Sequence, residues 1–159
     1  MHSLLATLES HGGIYLAVFL FAMLSGVFVL ASSEAMLIAF GAASSYGWPT
    51  LVLLAAIVAL GQSVTHAMVF QSGRGLAAVG ARGSPKLEAR LVKARALGAR
   101  WENSERLLIA LGATIGIPPQ VLIALLAGVV GIRFRTFVTI DVAGRILRFT
   151  TIVVVARLV

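Results

Sequence analysis

Residues Ala35–Gly73 read AMLIAFGAASSYGWPTLVLLAAIVALGQSVTHAMVFQSG, without one aspartate, glutamate, lysine or arginine. As a single helix this run would be roughly 58 Å long at 1.5 Å per residue, well beyond the roughly 30 Å hydrocarbon core of a bilayer. Tyr46-Gly47-Trp48-Pro49 punctuates it as a turn. Thr50–Phe70 is therefore expected to be a full membrane span. Glu34–Ser45 is too short to cross and fits a re-entrant or broken helix.

The same reading extends in both directions. Glu34 is the only Asp, Glu, Lys or Arg between Gly12 and Gly73, so Gly13–Ala31 reads as a first transmembrane helix. It is preceded by the polar stretch His2–His11, which has no lysine or arginine, and is expected to be a retained span, not a cleaved signal. Downstream, Leu107–Ile132 is again uncharged and too long for one comfortable crossing. Pro118-Pro119 removes backbone donors near its middle and divides it into two half-helices. A hairpin there returns Arg133 and Arg135 to the side of the basic loop, which charge bias favours over a straight crossing. Thr136–Ala156 is the last span.

Composition agrees with this reading. The chain has 159 residues, 59% of them hydrophobic and 12% charged, with a mean hydropathy of +0.99. Soluble domains are about half apolar and a quarter charged. The absence of cysteine excludes disulfides, thiolate catalysis and Cys-based metal sites, and no cofactor or metal is expected. The net charge of +7 does not imply nucleic acid, because the basic residues sit between apolar segments. That placement points to anionic lipid headgroups and to control of topology.

The expected organisation is one membrane domain over 1–159, with a first half at 13–73, a basic cytoplasmic loop at 74–106 and a second half at 107–157. The loop carries eight basic residues and three acids (Glu88, Glu102 and Glu105). Within it, Pro85–Arg100 places Leu87, Leu91, Ala94 and Gly98 on one stripe, as suits a helix lying on a membrane surface. Each half has a short broken segment, a turn, and a span with an internal glycine, Gly61 or Gly144. The fold class expected is an all-α integral membrane protein built as an inverted repeat of a re-entrant hairpin plus a transmembrane helix. Paired interrupted segments of this kind point to a transporter with a midplane site.

The charges inside the apolar segments are the candidate site. Asp141, Arg145 and Arg148 are spaced i, i+4 and i+7 on one face of the last span. Each charge near a helix centre costs about 2.5–3.5 kcal/mol on insertion scales, against about 0.3–0.6 gained per large aliphatic residue. Three of them roughly cancel the apolar gain of the whole span, so this face must turn inward. Glu34, the only acid of the first half's apolar region, is the expected partner of Arg145 or Arg148, the charges meeting in a shared interior pocket. Glu34 and Asp141 would balance charge or exchange protons, while Arg145 and Arg148 would attract an anionic headgroup through bidentate guanidinium contacts. Gln120 would present an amide at the tip of the second hairpin, with Thr114 a turn and a half earlier, and both are candidate substrate contacts. His66, a turn after Gln62, reads first as a packing residue and second as a proton relay. Arg74 and Arg157 are expected to snorkel to the interfaces.

The pattern resembles the DedA family, also called the VTT or SNARE-associated Golgi domain, and within it the small YqaA-like branch. Ser33-Glu34 before an apolar run is similar to the family's Pro-Ser-Glu opening, with Ser32 in place of the proline. Gly61, Phe70, Gly73 and Arg74 resemble its Gly…Tyr-x-x-Gly-Arg stretch. Ile117-Pro118-Pro119-Gln120, Ala127-Gly128, Phe137 and Gly144-Arg145-x-x-Arg148-Phe149 resemble the YqaA-like ending. The resemblance covers roughly 15–157 and implies paired re-entrant hairpins in a bacterial inner membrane. It also implies translocation of polyprenyl-phosphate carriers or scrambling of phospholipids, with dependence on the proton-motive force. Thr114 and Gln120 stand where many members carry arginines. A non-transporting scaffold, with charges that only lock helices together, is the alternative. Enzymatic activity is not expected, because no Ser–His–Asp, His-Glu-x-x-His or paired-acid arrangement lies in the apolar spans; Ser32 and Ser33 beside Glu34 are all that remains of that class. Membrane lipids are the expected partners, and a homodimer is compatible with so small a transmembrane surface.

Overall fold

The computed structural model describes residues 2–28, 32–43, 46–83, 102–117 and 119–158, with isolated positions between 85 and 96. Side chains are described from Gly12 in the first helix and from Arg106 in the fourth. Six helices can be bounded among the described residues, where no strand occurs: α1 His2–Ser25, α2 Ser33–Ala42, α3 Trp48–Gly83, α4 Glu102–Thr114, α5 Gln120–Val130 and α6 Phe134–Leu158. Trp48–Gly80 is long and apolar enough to cross a membrane. Most of the expected surface helix Pro85–Arg100, and the segment ends at Ala31 and Ser45, lie outside the described residues.

The chain divides into two compact units, the boundaries falling inside the two longest helices. The first unit takes residues 1–62 and 146–159. Its core is Val18 and Ala22 of α1, Leu37 of α2, Leu51, Leu54, Ala55, Val58 and Ala59 of α3, and Phe149 and Val153 of α6. The first helix starts and ends earlier than the expected span at 13–31. It stops at Ser25, where Gly26 donates to the Ala22 carbonyl at 3.1 Å and the Ser25 hydroxyl turns back to the same oxygen at 2.9 Å. The N-cap of α2, Ser32, accepts from the Ala35 amide at 3.1 Å. Only Tyr46 and Gly47 of the expected four-residue turn stay outside a helix. Trp48 and Pro49 open α3, where proline's missing N–H has no helical acceptor to lose.

The second unit takes residues 63–145. Phe70 of α3, Ile109 of α4, Ala124 and Ala127 of α5 and Phe137 of α6 form its core, with the Phe70 and Phe137 rings stacked at 4.9 Å. The uncharged run at 107–132 does break in two: α4 ends at Thr114 and α5 begins at Gln120. Gly116 and Gly131 adopt φ of 87° and 92°, the left-handed conformation that closes a helix C-terminus at little cost only for glycine. A Cβ at Gly112 of α4 would collide with Gln120 and Ile123, so α5 packs directly back on α4. A Cβ at Gly128 would strike the Phe70 carbonyl, and one at Gly73 the Leu125 carbonyl; this reciprocal glycine contact brings the α3 and α5 backbones together. The close packing explains why α3 continues through Gly73-Arg74-Gly75, thirteen residues beyond the expected span end at Phe70.

Candidate functional site: two charge clusters in apolar segments

The four charges inside the apolar segments sort into two pairs. In the first unit, Arg148 Nη2 of α6 lies 2.9 Å from Glu34 Oε1 of α2. Glu34 sits in the first turn of α2, where the helix N-terminus favours a carboxylate. The Ser32 hydroxyl donates to its other oxygen at 3.2 Å. This pair is only partly covered by protein, at 23% side-chain exposure for Arg148 and 32% for Glu34. Arg148 is thus the expected guanidinium partner of Glu34.

Arg145 belongs to the second unit and pairs with Asp141 instead. Its Nε donates to Asp141 Oδ1 at 3.2 Å, one helical turn away, with side-chain exposures of 5% and 1%. Gln120 Nε2 donates to the same oxygen at 2.8 Å, and His66 Nδ1 lies 3.8 Å from it. Gln120 therefore does not present its amide openly at a hairpin tip. It is buried at the start of α5, behind an exposed Pro119 that supplies no side-chain cap, and the missing side chain of Gly112 leaves room for it. Asp141 Oδ2 and Gln120 Oε1 are buried without a hydrogen-bond partner among the described residues.

Thr114 is half-buried at the end of α4, and its hydroxyl donates to the Ala110 carbonyl of its own helix at 2.7 Å. Its methyl would lie 3.3 Å from a Cβ at Gly144, so Thr114 packs against α6. Pro118 lies outside the described residues.

Two further groups were not singled out as site residues by sequence reasoning. Gln62 Nε2 donates to Ser25 Oγ at 2.8 Å and to Ser33 Oγ at 3.0 Å, and the two serine hydroxyls share a hydrogen bond. This knot ties the α1–α2 turn to α3, next to Gly61, whose absent Cβ admits the Phe19 carbonyl and Ala22. The available signal was the concentration of polar residues in one apolar span: Gln62, Ser63, Thr65 and His66 are all buried. Arg157, assigned only to an interface, donates from Nη1 to the Ala43 carbonyl at 3.0 Å and closes the C-terminus of α2. No family model, curated protein or solved structure matches this chain.

Proposed function

We propose that this chain is a multi-pass protein of the bacterial inner membrane, of the DedA type, that translocates a lipid or lipid-phosphate carrying an anionic headgroup. The carrying observation is the Glu34–Arg148 pair, a 2.9 Å contact left partly open between two predominantly apolar helices. A phosphate offers a guanidinium the same planar, two-point acceptor as a carboxylate, so an incoming headgroup competes with Glu34 for Arg148. Glu34, once released, is free to take up a proton, which links headgroup binding to the proton gradient.

The internal likeness of the two units supports the repeat. In each, a short apolar helix starts with a buried polar residue bonded to the following long helix: Ser33 to Gln62 in the first, Gln120 to Asp141 in the second. In each, a glycine eight residues further on touches another helix: Gly41 against Ala156, Gly128 against Phe70. The following long helix also carries a glycine against the preceding helix, Gly61 against Phe19 and Ala22, Gly144 against Ala113. This reading makes α1–α2 and α4–α5 the two re-entrant hairpins, with α3 and α6 as the spanning helices. It differs from a crossing first helix, because the α1–α2 turn meets α3 at Gln62, near the middle of its apolar length.

A structural role is favoured for the second pair alone. Asp141 and Arg145 are almost wholly enclosed, and a buried pair of this kind holds helices in register. The test is transport in reconstituted vesicles. Arg148→Gln is expected to lower it at least ten-fold at normal protein levels. Unchanged transport in Arg148→Gln overturns the headgroup role. Recovery in the exchanged double variant Glu34→Arg with Arg148→Glu shows a scaffold pair instead.

A further inference from the structure

We infer that the apolar groove between α2 and α6 in the first unit seats a hydrocarbon chain of the same anionic lipid whose headgroup binds Arg148. The inference rests on the proposed headgroup role and extends it to the rest of the ligand.

The groove is lined by Ile38, Thr151, Ile152, Val155 and Ala156, with a volume of about 380 Å³. Ile38 stands one turn beyond Glu34 on α2, and Ile152 and Val155 stand one and two turns beyond Arg148 on α6, so the walls continue the faces that carry the ion pair. The Glu34–Arg148 contact thus lies one helical turn from the groove, on the same helix faces, without lining it. The groove ends where Gly41 lets Ala156 approach, a Cβ at Gly41 lying 2.9 Å from that of Ala156. From Glu34 to Gly41 is seven residues and from Arg148 to Ala156 eight, so the two walls each run about 10–12 Å. Just beyond, the Arg157 bond to Ala43 holds the helices together.

Thr151 is the only polar side chain of the lining, and its hydroxyl already donates to the Leu147 carbonyl at 2.8 Å. The groove thus offers no polar demand along its length, and one turn away lies a guanidinium whose carboxylate partner an anionic headgroup would displace. An apolar cavity of about 150 Å³ holds benzene, so this space matches a chain on the order of ten carbons. An anionic lipid combines those two properties in one molecule.

The test uses the purified full chain in nanodiscs of phosphatidylglycerol or phosphatidylcholine, with retained lipid counted by native mass spectrometry. Val155→Trp and Ile38→Trp fill the groove from opposite walls; either alone suffices if the other fails to elute as a monodisperse peak. Each is expected to lower retained phosphatidylglycerol at least five-fold while binding of glycerol phosphate, which has the headgroup chemistry and no chains, is unchanged. Arg148→Gln is expected to lower both. Wild-type lipid retention in both tryptophan variants, with loss in Arg148→Gln, overturns the groove and leaves the headgroup role standing. Unchanged lipid and glycerol phosphate binding in Arg148→Gln overturns the headgroup role and this inference with it. Tryptophan variants that alter only the oligomeric state assign the groove to a second copy, which also overturns the inference.

Discussion

Arg145 Nε donates to Asp141 Oδ1 at 3.2 Å within one turn of α6, and both side chains are almost completely enclosed by protein. Removing one member of such a pair leaves the other as an uncompensated buried charge, which costs about 3–5 kcal/mol, whereas apolar replacement of both is often near neutral. Arg145→Met alone is therefore expected to destabilise by that amount. Adding Asp141→Leu is expected to recover most of it. A residual loss of about 1 kcal/mol reflects the Gln120 amide, which then lacks its acceptor. Denaturation of the purified variants in detergent measures both effects. A double variant no more stable than Arg145→Met alone contradicts the structural role.

Glu34 and Arg148 call for a different outcome because their contact is partly open. Lysine keeps the charge but not the two-point fork of the guanidinium. Arg148→Lys is expected to weaken anionic-lipid retention about ten-fold with little change in protein yield. Glu34→Gln removes the competing carboxylate, so retained anionic lipid should rise several-fold while turnover in vesicles falls. Lipid-to-protein ratios and transport assays on the same preparations check the two signs. Parallel loss of retention in both variants argues against competition at Arg148.

Gly128 of α5 and Gly75 of α3 make a paired prediction. Gly128→Ala drives a methyl group into the Phe70 carbonyl across the α3–α5 contact, and overpacking of this kind costs about 1–3 kcal/mol. Gly75→Ala, on α3 two residues beyond the crossing, meets nothing within 4 Å. There the alanine should stabilise the helix by about 0.5–1 kcal/mol. Thermal denaturation in one detergent separates the two, and equal effects would mean that the close backbone contact is absent.

Much of the helical plan was legible because hydrocarbon-length uncharged runs and Pro or Gly breaks leave few alternatives. The division of 107–132 near Pro119 follows from proline's missing donor, whereas Trp48 and Pro49, expected in a turn, open α3 because a helix's first residues need no N–H acceptor. The i, i+4, i+7 spacing put Asp141, Arg145 and Arg148 on one face, but spacing cannot say which acid each arginine meets; that depends on which unit surrounds each turn of α6. Hydropathy also overran α1 to Ala31, since Gly26-Val27-Phe28 is as apolar as a helix, while the Ser25, Ser33 and Gln62 knot that ends it joins residues far apart in sequence. The burial of Gln120 was not legible, because the space its amide enters is created by Gly112, whose role is visible only in three dimensions.

The absence of cysteine makes the spanning role of α3 directly testable. Gly47 lies just before α3 and Gly75 lies 27 residues beyond its first residue, Trp48, which separates the two by about 40 Å along the helix. Both positions are exposed, and an added Cβ meets only ordinary contact at Gly47 and none at Gly75. If α3 crosses the bilayer, Gly47→Cys and Gly75→Cys must react with a membrane-impermeant maleimide from opposite faces of sealed vesicles. The basic residues set the orientation expected of such a crossing: Arg74, Arg133 and Arg135 are exposed, and an excess of Lys and Arg favours the cytoplasmic side. In right-side-out vesicles Gly47→Cys should label at once and Gly75→Cys only after permeabilisation. Labelling of both from one face before permeabilisation is incompatible with a spanning α3, and with it the paired-hairpin architecture falls.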